Sequence, residues 1–104
     1  MMVDQILVLR EIMGEKYPKI NNLSPDQEAL TILMEECGEV IQEASKIIRF
    51  NQGELINIVR LSKEIGDVLC LVDVLNSLGL VDESIIEDSI RKKREKLSFY
   101  SNLL

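Results

Sequence analysis

Glu35-Glu36-Cys37-Gly38-Glu39 places three carboxylates within five residues, and Glu64-Ile65-Gly66-Asp67 adds an acidic pair at a spacing of three. Carboxylates three residues apart on a helix stand on adjacent turns of one face. If both stretches are helical and pack side by side, Glu36 and Glu39 meet Glu64 and Asp67. An ionised carboxylate buried alone costs at least several kcal/mol, and four facing one another also repel. Something positive must compensate, either basic side chains or a divalent cation. A cage of carboxylate oxygens suits hard cations such as Mg²⁺ or Mn²⁺, and Mg²⁺ usually keeps waters and takes substrate phosphates as further ligands. A di-iron carboxylate bundle would need Glu-x-x-His ligands, and the chain contains no His.

Helical periodicity decides where these acids point. With an advance of about 100° per residue, Leu33, Val40 and Ile47 fall within about 60° of Glu36, so Glu36, Glu39 and Glu43 lie inside an apolar stripe. Glu35 lies at the edge of that stripe. On the second acidic helix Leu61, Val68, Leu71 and Leu75 share the face of Glu64 and Asp67, while Asp73 is on the opposite side. One acidic pair of this kind is readily explained by Lys or Arg reaching across from another helix. Two pairs of the same spacing on two apolar stripes favour a metal. Cys37 and Cys70 both read as small residues packed within helices, not as nucleophiles.

The elements that must hold these residues are legible from their ends. Apolar positions Val3, Ile6, Leu7 and Met13 predict a short first helix, stopped at Gly14. Tyr17-Pro18 and Asn21-Asn22 mark a loop. Ser24-Pro25-Asp26-Gln27 is a helix start: Ser24 caps, Pro25 suits the first helical position, and Gln27 stands where a capping-box partner belongs. That helix should run to about Phe50, with Asn51-Gln52-Gly53 ending it. A third runs from about Glu54 to Leu78 before Gly79, its β-branched first turns allowing a separate short turn. Asp82 caps a last helix to about Tyr100. No strand alternation is sustained, so the expected class is all-α: one domain over residues 1–104, with a short first helix and three longer ones.

The last helix carries Arg91-Lys92-Lys93-Arg94-Glu95-Lys96. Ile86, Ile90 and Leu97 define its apolar stripe, on which Lys93 falls, with Tyr100 close by and Lys96 at the edge. Lys93 is therefore expected to point inward, toward the acids or toward a phosphate held there. Lys46 and Arg49 are weaker candidates of the same kind.

Composition bounds the rest. The chain has 104 residues, 46% hydrophobic and 29% charged, with a net charge of -6. That acidity argues against a nucleic-acid polymer as partner. No apolar run is long enough for a signal peptide or membrane span. Two cysteines imply no disulfide framework, and a reducing cytoplasm fits. A core of this size is modest, and an all-helical chain often completes it by self-association.

The acidic pattern, EExxE at 35–39 followed after residues 40 to 63 by ExxD at 64–67, resembles the MazG-like all-α nucleoside triphosphate pyrophosphohydrolases. Gly38 before Glu39, the apolar run after Asp67 and a basic, Tyr-containing last helix extend the resemblance over roughly residues 24 to 100. It implies a MazG-like bundle and Mg²⁺ binding by Glu36, Glu39, Glu64 and Asp67, with Glu35 supporting or helping to hold a second metal. It also implies phosphate contacts from Lys93, Lys96 and Tyr100, and a homodimer or homotetramer. The expected reaction is hydrolysis of a nucleoside triphosphate, with a deoxynucleotide as the expected substrate, to the monophosphate and pyrophosphate, with Glu35 or Glu39 taking the proton of the attacking water. Two alternatives stand beside it: phosphoribosyl-ATP pyrophosphohydrolase, and a non-catalytic helical module that binds a metal or nucleotide.

Overall fold

The computed structural model describes residues 23–50 and 54–104. Within them the chain is all-helical: α1 spans Pro25–Arg49, α2 Leu55–Ser77 and α3 Glu83–Tyr100. The expected helix over residues 3 to 13 lies outside the described residues.

Each helix end has a local cause. Ser24 Oγ accepts from the Gln27 backbone N–H at 3.2 Å, and the Ser24 N–H donates to Gln27 Oε1 at 3.1 Å. This reciprocal box satisfies donors that the first turn leaves orphaned. At the far end of α1 the Phe50 N–H donates to the Lys46 carbonyl, and the Arg49 guanidinium sits 4.9 Å from the centre of the Phe50 ring. The N-cap of α2, Glu54, makes no side-chain cap, yet the β-branched start is helical from Leu55 with no separate turn. Helix α2 closes in a Schellman arrangement, with the Leu80 N–H donating to the Leu75 carbonyl at 2.9 Å and the Gly79 N–H to Asn76 at 3.1 Å. Gly79 sits at φ 75°, a left-handed conformation that glycine adopts without a Cβ penalty. Asp82 Oδ1 caps α3 by accepting from the Ser84 and Ile85 N–H groups.

Packing is concentrated between α1 and α2, which form the one extensive interface among the described helices. Ala29, Leu71 and Leu75 are its fully buried apolar side chains. Helix α3 makes little contact with either. The Cα radius of gyration is 16.9 Å, against about 13 Å for a compact domain of this size. Among the described residues no helix is long and apolar enough to cross a membrane.

Candidate metal centre

The site lies inside the α1–α2 interface. Glu36 and Glu39 project from the middle of α1, Glu64 and Asp67 from the middle of α2. One carboxylate oxygen from each can be chosen so that all four lie within 4.8 Å of one another. Helical spacing explains the convergence: each pair stands three residues apart on the face its helix turns to the other. Among the described residues no further His, Cys, Asp or Glu joins this group.

Burial within the group is uneven. Glu36 is 0% exposed and Asp67 7%, while Glu39 and Glu64 are half-buried. Both Glu36 oxygens are buried without a hydrogen-bond donor, as is Glu64 Oε2. No Lys or Arg among the described residues forms an ion pair with Glu36, Glu39 or Glu64. Carboxylates in contact bond to one another only when a proton or a cation stands between them. Burial, reinforced by the Glu39 and Asp67 charges, pushes the Glu36 carboxyl up to about 7. Glu64 is likewise pushed up to about 7, first by its contact with Glu39 and then by burial. Without a cation, the cluster therefore retains protons that ordinary carboxylates lose well below neutral pH. Such a donor set, four oxygens with no nitrogen or sulfur, fits a hard divalent cation and could hold one.

Other acids behave differently. Glu43, on the same stripe of α1, has its charge met locally, since Lys46 Nζ lies 3.1 Å from Glu43 Oε1. For that acid, ion pairing is the explanation, and it occupies Lys46. Glu35 is exposed and stands outside the group of four, as its place at the stripe's edge suggests.

Two expectations need correcting. Lys93 is exposed, not aimed into the interior. It borders an open cleft of about 430 Å³ on α3, with Ile86, Ser89, Ile90 and Arg94. An apolar stripe turns a side chain inward only where another element covers it, and α3 packs little against the hairpin. Lys96 and Tyr100 are exposed on the same helix. The neighbouring cations Arg91 and Lys92 both pair with Asp88. Cys37 and Cys70, expected to be packed, are both exposed free thiols, because apolar residues surround more of each helix than its packed face.

The described residues are thus all-helical, with a carboxylate cluster that could hold a metal between α1 and α2. No family model matches the chain, and comparison with curated proteins and with solved structures finds no match either.

Proposed function

We propose that the protein is a Mg²⁺-dependent nucleoside triphosphate pyrophosphohydrolase. The observation that carries the reading is Glu36: a fully buried carboxylate, with no donor to either oxygen, facing three further acids. A protein of modest stability keeps so costly a group only where something compensates it. The order of the acids, EExxE then ExxD, resembles the MazG-like pattern and supplies the reaction class. The four-helix bundle that this resemblance implies, with its first helix over residues 3 to 13, belongs to the same proposal.

Glu36, Glu39, Glu64 and Asp67 hold the cation, with Mn²⁺ as the alternative to Mg²⁺. When bound, such an ion supplies neutralisation of phosphate charge and acidification of water. The chain's own contributions are then separable. Glu36 and Asp67, the most buried pair, fix the position of the site. Glu39, half-buried, or Glu35, one residue before Glu36 and open to solvent, accepts the proton of the water that attacks the α-phosphorus. Lys93, Lys96 and Tyr100 offer exposed donors to phosphate oxygens.

The test is release of pyrophosphate from each NTP and dNTP, and from phosphoribosyl-ATP, with Mg²⁺ present. The expected result is turnover of at least one nucleoside triphosphate to its monophosphate, lost in Glu39→Gln. Turnover of phosphoribosyl-ATP alone would move the assignment to that enzyme. Mg²⁺-dependent nucleotide binding with no product would make the protein a binding module.

A further inference from the structure

The four clustered acids, a tetrad of two facing pairs, fix the register of the α1–α2 hairpin. Across the interface Glu36 contacts Asp67 and Glu39 contacts Glu64, so the two helices run antiparallel. The short connection demands the same: six residues span about 21 Å at most, and parallel helices with these acids level would need to join ends about 28 Å apart. One turn beyond Glu39, Glu43 is therefore level with Arg60, and Lys46 is level with Asn57. At an advance of about 100° per residue, all four stand within about 40° of Glu39 or Glu64 on their own helix. The two sides of the tetrad differ. On one side Ala29, Leu71 and Leu75 close the interface with fully buried apolar side chains. On the side toward the end of α1, Ile47 and Leu61 are only half-buried and Phe50 is 74% exposed. Cations gather on this open side. Lys46 Nζ lies 3.1 Å from Glu43 Oε1, while Glu43 Oε2 is buried without a hydrogen-bond partner. Arg60 is exposed and forms no ion pair among the described residues.

On the reading of the tetrad as the Mg²⁺ site of a nucleoside triphosphate pyrophosphohydrolase, we propose that this open end of the hairpin is the subsite for the β- and γ-phosphates, with Lys46 and Arg60 as their ligands and Glu43 as the residue that positions Lys46. A triphosphate with its α-phosphate at the metal must run its remaining charges one way or the other along the interface. Charged oxygens cannot enter the side closed by Leu71 and Leu75 without a large desolvation cost. The other side offers room and positive charge. Helical side chains lean toward the N-terminus of their helix, so on antiparallel helices Lys46 leans back toward the metal and Arg60 leans away from it. The Lys46 ammonium, held at Glu43, stands about one turn, roughly 5.4 Å, beyond Glu39. Lys46 therefore meets the β-phosphate. Arg60, farther out, meets the γ-phosphate, where its planar fork suits two oxygens of a terminal group. A lysine stem has many rotamers, and ordering it on binding costs affinity; the ion pair with Glu43 orders it beforehand. Lys93 and Lys96 have no such place relative to the tetrad, because α3 makes little contact with the hairpin.

The probe is inorganic tripolyphosphate, titrated calorimetrically into the full-length protein in Mg²⁺, so the readout needs no turnover. The Mg²⁺-induced rise in thermal midpoint, measured on the same samples, reports the tetrad separately. Lys46→Ala and Arg60→Ala should each raise the Kd on the order of tenfold or more, the typical value of a hydrogen bond to a charged group, with the midpoint rise intact. Lys93→Ala should leave the Kd unchanged. Glu43→Gln should raise the Kd several-fold in the wild-type chain and not further in Lys46→Ala, because it acts through that lysine. Equal losses in both backgrounds overturn its positioning role. No tripolyphosphate binding by a protein that shows the midpoint rise overturns the subsite and leaves the metal site standing; absence of the rise as well overturns both. Unchanged affinity in Lys46→Ala and Arg60→Ala, or an equal loss in Lys93→Ala, puts the phosphates elsewhere and overturns the subsite. Binding that depends on Lys46 and Arg60 supports it even where no nucleotide is turned over, in which case the hydrolase reading alone fails.

Discussion

Glu36 and Asp67 meet across the α1–α2 interface, both buried, with carboxylate oxygens within 4.8 Å of each other. Two acids in that relation raise each other's hold on protons. On the proposed function the tetrad exchanges those protons for a metal, and most of its testable behaviour follows.

The first consequence is a stability that runs against pH. Glu36 and Glu64 titrate near 7 in the folded chain and near 4.5 when unfolded. Between those values the folded state holds more protons than the unfolded one. The stabilisation is complete below about pH 4.5 and is lost as pH rises through about 7. In the presence of a chelator, the thermal midpoint should fall between pH 5 and pH 8. Added Mg²⁺ should restore it at pH 8, because a ligand that binds only the folded state stabilises by mass action. A midpoint that rises over this range in chelator would contradict the protonation scheme.

Metal binding should release protons. Ligand carboxylates must be ionised to coordinate, so a cluster that carries protons near neutrality gives them up on loading. Titration calorimetry at pH 6 in buffers of different ionisation enthalpy should report net release into the buffer, shrinking toward zero by pH 8.5. Equal heats in all buffers at pH 6 would show that the cluster was already ionised.

Glu36→Gln separates the cost of the acid from its use. The amide keeps the shape, removes one charge, and offers donors to Glu39 and Asp67. In chelator at pH 8 the variant should be more stable than the parent, by roughly 1.5–3 kcal/mol, the typical value of a hydrogen bond to a charged group. The Mg²⁺-dependent rise in midpoint should disappear. Loss of stability in chelator would mean that the buried carboxylate is already compensated within the folded protein.

Much of this arrangement is readable in the residues themselves. Acids embedded in an apolar stripe can be placed by angle alone, which is why Glu36, Glu39, Glu64 and Asp67 are brought together as their spacing implies. Helix ends read equally well, because Ser24, Gln27, Gly79 and Asp82 act through their own backbone neighbours. Burial further afield was not legible. Periodicity puts Lys93 on a stripe but does not say whether another helix covers it, and on α3 little does. Helix α1 carries two apolar stripes, one packed and one exposed, and no local signal distinguishes them. Cys37 belongs to the second, so its expected packing fails for the same reason.

Glu35 and Glu39 should differ in kind. Glu39 belongs to the tetrad, so Glu39→Gln should weaken Mg²⁺ binding and turnover together. Glu35 is exposed and outside it, so Glu35→Gln should leave the Mg²⁺-induced midpoint shift intact. If Glu35 accepts the proton of the attacking water, its loss lowers kcat on the order of 10²-fold or more, the usual contribution of a positioned base, and flattens the acid limb of the pH profile. If Glu39 is the base, Glu35→Gln retains near-parental kcat. Midpoint shifts and kcat measured side by side on the two variants decide between them.

Gly38 and Gly66 each precede a tetrad acid inside a helix, where glycine costs about 1 kcal/mol relative to alanine. Among the described residues no atom lies within 4 Å of a Cβ built at either position, and neither has a positive φ. Packing among the described residues therefore does not require glycine at these two positions. Gly38→Ala and Gly66→Ala should each raise the stability of the metal-free protein by about 0.4–1 kcal/mol, measured by denaturant unfolding. If the open space serves substrate, the same changes should raise KM for the nucleotide while leaving Mg²⁺ binding alone. A stabilised protein with unchanged KM would show that neither glycine borders the bound nucleotide. A destabilised one would show that something outside the described contacts, such as a second copy of the chain, approaches the helix there.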